Sequence, residues 1–285
     1  MQEILDVSYV EASKYGRLHA FDLYIPDALK PNGPLICFVH GGAWRSEDKS
    51  HHAVLARRLA EGTSYTVAVP NYRLTTPQTQ LHHPGHSEDL LAFLHFVHGW
   101  TGPSSQGHIS YDPSRLYLFG HSCSAHMLTS ILLSPPPTSN PFSSLTPSES
   151  LLQSVRGVVM SEGIYDVDLL LKSFPTYREW FIADTFGDLD TYAAVNTSAY
   201  QIRESGQNTR WLVVHSKGDT LVDEVQSQSM VAQLKTFEFA ASGDAAFVES
   251  HFDLTSDHND VLLEDRYHEV VGRFIGHTEE LNIKA

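Results

Sequence analysis

A serine framed by small residues, at the junction of an apolar run and a helix-like run, is the first place in this chain where chemistry could be done. Gly120-His121-Ser122-Cys123-Ser124 follows the run Leu116 to Phe119 and precedes Ala125 to Leu133. In that strand–turn–helix context a serine hydroxyl stands at the top of a sheet, where it can attack a carbonyl carbon. The turn is tight, so the positions two before and two after the serine must be small. Gly120 meets this fully, and Ser124 stands where a second glycine is usual. Taken alone, the match describes a helix N-cap as readily as a nucleophile; partners elsewhere in the chain favour the nucleophile.

Those partners appear in a consistent order. His40-Gly41-Gly42-Ala43-Trp44 follows another apolar strand, one strand–helix–strand unit upstream. Its glycines let peptide N–H groups turn toward a developing oxyanion without obstruction by a Cβ. Gly41 and Gly42 are the expected donors, with the N–H of Cys123 as the third. The run Trp211 to His215 leads into Ser216-Lys217-Gly218-Asp219, and Asp219 is the first acid past the strand end. Asp223 and Glu224 fall where a helix should begin and are favoured there by its dipole; Asp223 is the rival. The base must come last, and His258 sits in the polar loop Thr255 to Asp260 just before a closing helix. His251 lies inside an expected strand and His268 inside that helix, so both are less free to reach Ser122. The expected triad is Ser122, Asp219 and His258.

Such a triad needs a rigid frame, and the rhythm of the chain supplies one. Short apolar runs at Leu35 to Val39, Thr66 to Val69, Leu116 to Phe119, Val155 to Met160 and Trp211 to His215 alternate with amphipathic stretches. This is the pattern of βα units around a mostly parallel sheet with helices on both faces. Val7 to Glu11 and Leu18 to Ile25 read as an antiparallel edge hairpin. A last strand is expected at Ala246 to Phe252, and the spacing of Val261, Leu262, Tyr267, Val270, Val271 and Phe274 predicts a closing helix. Ser134 to Ser150, with three consecutive prolines, reads as a loop. The aromatic-rich stretch 166–199 is either a helix pair on the core or a small cap over the site; the cap is favoured because the stretch follows a strand whose C-terminal end should face the ligand crevice. The fold class is α/β, with the α/β-hydrolase fold and one domain over 1–285.

A net charge of −15 argues against nucleic acid or an anionic membrane as partner, leaving a small molecule. No stretch approaches the roughly 20 apolar residues of a spanning helix. The N-terminal residues lack the pattern of a secretory signal, and Cys37 and Cys123 are poorly placed for a disulfide, so a cytoplasmic location is expected. His51-His52 and His82-His83-Pro84-Gly85-His86 lack zinc-protease spacing and read as surface or loop histidines. No metal and no cofactor are expected, since no phosphate loop or dinucleotide fingerprint is present.

His40-Gly41-Gly42-Ala43-Trp44, Gly120-His121-Ser122-Cys123-Ser124, Glu162-Gly163-Ile164-Tyr165-Asp166 and His258-Asn259-Asp260-Val261 together resemble the kynurenine formamidase (arylformamidase) family, especially its fungal form, among the hormone-sensitive-lipase-like esterases. The resemblance runs over essentially the whole chain and departs from the family at Ser124. It implies hydrolysis of N-formyl-L-kynurenine to kynurenine and formate, a step of tryptophan breakdown toward NAD, and a homodimer. Trp44, Tyr165 and the aromatics of 166–199 are the groups available to enclose the kynurenine ring, with core packing as their alternative role. A short-chain carboxylesterase with the same triad, or more distantly a non-catalytic receptor on this fold, are the alternatives.

Overall fold

The computed structural model describes residues 1–100, 102, 111–136, 144–237 and 247–284. Ten strands are described: β1 (Gln2–Ser8), β2 (Ala20–Ile25), β3 (Pro34–Val39), β4 (Thr66–Pro70), β5 (Asp112–His121), β6 (Leu133–Ser134), β7 (Val155–Ser161), β8 (Gln201–Ile202), β9 (Arg210–Ser216) and β10 (Val248–Leu254). Between and after them run the helices α1 (Ala53–Thr63), α2 (Gly85–Gly99), α3 (Cys123–Leu132), α4 (Glu149–Ser154), α5 (Val167–Ser173), α6 (Ala183–Phe186), α7 (Glu224–Lys235) and α8 (Asp265–Lys284). Eight strands form one sheet in the order β1-β2-β4-β3-β5-β7-β9-β10. The pairs β1/β2 and β2/β4 are antiparallel and the others parallel, the architecture of the α/β-hydrolase fold.

Every residue of β3 and of β9 is buried, as expected for strands covered on both faces. Alternate side chains divide between two cores. Leu35, Cys37 and Val39 pack with residues of α2, α3 and α7 on one face, while Ile36 and Phe38 pack with α1 and α8 on the other. Register then sets the site. Val39 pairs with Gly120, His121 with Ser161, Ser161 with Val214, and Leu254 with Ser216. The loops leaving β3, β5, β7, β9 and β10 therefore emerge at one sheet edge, where open α/β sheets hold their ligands.

The five central strands lie where the apolar runs place them. The edge hairpin is present, but β1 begins at Gln2 and ends at Ser8. A register shift between Ile4 and Val7 accounts for this: Asp6 takes φ 56° and its N–H donates to Asp22 Oδ1 (2.9 Å). This bulge hides the alternation that marks a strand. The closing helix is split into a 3₁₀ turn at Asp260–Leu263 and α8. Residues 137–143 of the expected loop Ser134 to Ser150, and Ala246 of the expected last strand, lie outside the described residues; β6, at the start of that loop, pairs with β8. Among the described residues no helix is long and apolar enough to cross a membrane.

Candidate active site

The turn after β5 holds Ser122 at φ 56° and ψ −122°, a conformation a non-glycine residue keeps only where its surroundings enforce it. Its N–H donates to Ser161 O (2.9 Å), and its carbonyl accepts from Ala125 (3.2 Å) and Ile164 (3.3 Å). A Cβ on Gly120 would lie 2.9 Å from the backbone of Ala125, so the small residue required by the turn is required sterically. Ser124 turns its departure from glycine to use. Its Oγ accepts the N–H of His121 (2.7 Å) and shares its proton between Val39 O (2.7 Å) and His121 O (2.9 Å), which ties the turn to β3.

Asp219 and His258 meet across the loops that leave β9 and β10. His258 Nδ1 lies 2.7 Å from Asp219 Oδ2, and the Asp219 side chain is fully shielded from solvent. An ionised carboxylate only accepts, so Nδ1 carries the proton and Nε2 is left as the acceptor. Asp219 Oδ1 accepts the N–H groups of Leu221 (2.8 Å) and Val222 (3.0 Å). Burial pushes the Asp219 carboxyl up, but hydrogen bonding, from His258 first and from the Val222 N–H as well, outweighs it and holds the group well below the usual carboxylate range. Gly218 lets the two loops touch, because a Cβ there would come within 2.2 Å of Thr255 O. His121 completes the arrangement: its Nε2 donates to the carbonyl of His258 (2.8 Å), and burial pushes its pKa down to about 3, so the ring stays neutral.

The rivals lie elsewhere. His251 pairs with Asp253 on β10 (2.5 Å), and His268 lies within α8. Asp223 stands at the N-cap position of α7 and accepts from the Ser173 hydroxyl.

In the loop after β3, Gly42 takes φ +94°, and a Cβ there would meet Ser46 O at 2.3 Å. The loop is held from behind: the Tyr72 hydroxyl bonds the carbonyls of His40 (3.0 Å) and Gly41 (2.8 Å), and the Trp44 N–H donates to Cys123 Sγ (3.3 Å). A cavity of about 360 Å³ is lined by Gly42, Ala43, Ser122 and His258. Gly41 does not line it and is closely packed, since a Cβ there would press on His121 Nδ1 (3.0 Å) and Ser122 Cβ (3.1 Å). Cys123 begins α3, so its N–H has no acceptor within the helix.

Trp44 and Tyr165, expected at the substrate, are both corrected to core positions. Each is 0% exposed and neither lines the cavity. Trp44 packs edge-on against His126 (5.5 Å between ring centres) and Phe186 (5.1 Å). Tyr165 folds back over Gly163, where a Cβ would lie 2.1 Å from its hydroxyl, and its N–H donates to Gln226 Oε1 (2.8 Å). The Gly163-Ile164-Tyr165-Asp166 motif is thus largely a packed turn, with Asp166 capping α5 through Leu169 (2.8 Å).

Tyr177, Trp180 and Phe181, all from the 166–199 stretch, line the cavity instead. Two charged groups from the loop after Trp44 join them, Arg45 and Glu47. Arg45 donates to the Trp180 carbonyl. Burial works against a charge on Glu47, but His52 Nε2 at 2.7 Å and neighbouring histidines hold its pKa at about 2. These two residues carried no motif signal.

The histidine groupings also divide. His51 and His82 are exposed as expected, whereas His83 is buried just ahead of α2 and His86 within its first turn, and burial pushes both pKa values down. They are neutral packing groups, with His83 edge-on to His126 (5.3 Å between centres) and tilted against Phe186 (5.2 Å).

The family model described as BD-FAE matches residues 21–234. A kynurenine formamidase of Meyerozyma guilliermondii is 27% identical over 213 residues, 72% of this chain and 73% of that protein. One from Danio rerio is 28% identical over 173 residues, 61% of this chain and 50% of that protein. A probable isoprenylcysteine alpha-carbonyl methylesterase of Oryza sativa subsp. japonica is 36% identical over 112 residues, 39% of this chain and 25% of that protein. The match to these last two thus spans half and a quarter of their lengths. Among solved structures, esterase B of Lactobacillus rhamnosis superposes with a TM-score of 0.76 at 14% identity, covering 99% of this chain and 88% of that one. With the match extending from β2 into α7, the chain belongs to the BD-FAE family.

Proposed function

We propose that this protein is a serine hydrolase that cleaves the formamide of N-formyl-L-kynurenine to kynurenine and formate. The observation that carries the reading is the 2.7 Å contact between His258 Nδ1 and Asp219 Oδ2, in a cavity that His258 shares with Ser122 on its strained turn. Ser122 Oγ attacks the formyl carbon while its proton passes to His258 Nε2. The oxyanion takes hydrogen bonds from the N–H groups of Gly42 and Cys123, each worth about 2.7–4 kcal/mol to the transition state. His258 returns the proton to the aniline nitrogen as the carbon–nitrogen bond breaks, leaving a formyl ester on Ser122. Water, deprotonated by His258, attacks that ester; formate leaves and the serine recovers its proton.

The formyl group is small, so binding must come from the leaving group. Residues 166–199 act as a cap whose Tyr177, Trp180 and Phe181 offer ring faces to the aryl group, and Arg45 and Glu47 suit the carboxylate and ammonium of its amino-acid end. The formamidase relatives support this substrate. A cytoplasmic setting belongs to the same reading and accords with two free, buried cysteines.

The test is turnover of N-formylkynurenine by the purified protein, with Ser122→Ala as control. Activity abolished by that change is expected; full activity in the variant would refute the nucleophile. The methylesterase relative favours a second reading, a short-chain carboxylesterase. Hydrolysis of aryl acetates without hydrolysis of the formamide would select it.

A further inference from the structure

Glu162 is the first residue beyond β7, and it is a carboxyl group with 0% exposure. Its backbone takes φ 52°, and its N–H donates to Val214 O (3.1 Å). Its Oε1 accepts the N–H of Ser216 (2.8 Å), so main chain and side chain are both fastened to the end of β9, the strand that leads into Asp219. Oε2 faces inward. Among the described residues no hydrogen-bond donor serves it; His215 Nδ1 lies 3.5 Å away and is already bonded to Ser227 Oγ (2.9 Å). Glu162, His215 and Asp219 present polar atoms that all lie within 4.8 Å of one another.

Two carboxyl groups shielded from water at this range cannot both hold a charge cheaply. Their surroundings decide which one keeps it. Asp219 receives two backbone N–H groups and the imidazole of His258, whereas Glu162 receives one backbone N–H. The charge therefore settles on Asp219 and the proton on Glu162. Besides Asp219 and His215, the titratable groups around Glu162 are Glu264 ahead of α8, Tyr267 on α8 and Tyr165 after β7, and none supplies a positive charge. Burial above all, reinforced by Asp219, pushes the Glu162 pKa up to about 10.

We propose that Glu162 is a positioning residue for the triad: as a neutral carboxylic acid it donates its Oε2 proton to the Asp219 carboxylate, extending the relay to Glu162–Asp219–His258–Ser122. The donated bond orients the face of Asp219 away from the backbone amides, keeps that group anionic, and fixes the imidazole it holds. A proton meets the need of these facing carboxyl groups without disturbing the bonds His215 and Asp219 already make, which a cation would have to displace. The inference rests on the triad reading above.

The experiment compares Glu162→Gln, Glu162→Ala, Ser122→Ala and His258→Ala for kcat and KM on N-formylkynurenine and an aryl acetate from pH 6 to 10. Glutamine keeps a donor at Oε2 and should retain most of the wild-type kcat. Alanine should lower kcat about 10–100-fold, by analogy with the loss of an outer hydrogen-bond partner behind a metal ligand, with KM little changed. The wild-type activity should fall at alkaline pH as Glu162 ionises, and this fall should be absent from the glutamine variant. Glutamine as damaging as alanine, or alanine harmless in a folded protein, overturns the proposal. If neither variant folds, carbon-13 NMR of wild type labelled at glutamate carboxyls decides: one resonance in the protonated position at pH 7 is expected, and none overturns it. Activity lost on exhaustive chelation would also overturn it, by placing a cation where the proton is assigned. Ser122→Ala or His258→Ala retaining turnover would instead sink the triad itself, a result separable from failure at Glu162 alone.

Discussion

Replacing Asp219 by asparagine removes one charge and almost no volume, and the bonds around it dictate how the amide turns. The Oδ1 position receives the N–H groups of Leu221 (2.8 Å) and Val222 (3.0 Å), so the amide oxygen must stay there. The NH2 group then occupies the Oδ2 position, 2.7 Å from His258 Nδ1. A donor at that point obliges Nδ1 to accept, which moves the imidazole proton to Nε2. The ring can no longer take the proton of Ser122. Inverting the tautomer in a Ser-His-Asp site lowers kcat about 10⁴-fold, a barrier increase of about 5 kcal/mol. The assay is kcat on N-formylkynurenine, with thermal unfolding to show that the variant is folded. Asp223→Asn is the matched control, because that residue meets the Ser173 hydroxyl and not His258, and it should change kcat little. An Asp219→Asn enzyme within about tenfold of wild type, or a larger loss at Asp223, would refute the assignment of the acid.

Other consequences can be checked alongside. Gly42→Ala places a Cβ 2.3 Å from Ser46 O, so the loop must move and its N–H leave the cavity; kcat should fall about 10²–10³-fold with KM little affected, and an unaltered kcat would remove Gly42 from the oxyanion site. Arg45→Met and Glu47→Gln should each raise KM for N-formylkynurenine while leaving that for phenyl acetate unchanged; equal effects on both substrates would deny them a role in recognising the amino-acid end. Asp219 is held below its usual range in the fold, so its contribution to stability is present above the unfolded value of about 4 and is lost as pH falls. Glu162 has the opposite sign: its raised folded value costs stability as pH rises from about 4.3 toward about 10. Glu162→Gln, which cannot titrate, should therefore gain in Tm over wild type more at pH 8 than at pH 4.5, and a pH-independent difference would contradict a buried proton.

How far the sequence alone reaches differs from residue to residue. The positions of Ser122, Asp219 and His258 just past strand ends were legible because each follows an apolar run, and such runs with their bounding turn residues are local properties of the chain. The two-faced sheet was legible for the same reason: Leu35 to Val39 is apolar at every position, which suits a strand covered on both sides. Ser124 looked like an imperfect glycine, and only its three hydrogen bonds show it as an anchor.

What tertiary structure decided is which side chains meet. Trp44 and Tyr165 belong to the most recognisable motifs yet point into the core, because the turns that shape those motifs aim their large side chains inward; the cavity is faced by Tyr177, Trp180 and Phe181, brought there from a stretch without a motif. Gly41 and Gly42 are indistinguishable as letters, and the path of the chain alone makes one a packing contact and the other a wall of the cavity. Glu162 read as part of a motif, although a carboxyl group at the end of a buried strand, next to the strand that leads into Asp219, was a signal. Its partner lies 57 positions away in the chain, and parallel pairing of β7 with β9 brings the two carboxyl groups together. Periodicity and turn chemistry are local and can be read in one dimension; contact between groups at a sheet edge depends on register, and register belongs to the folded whole.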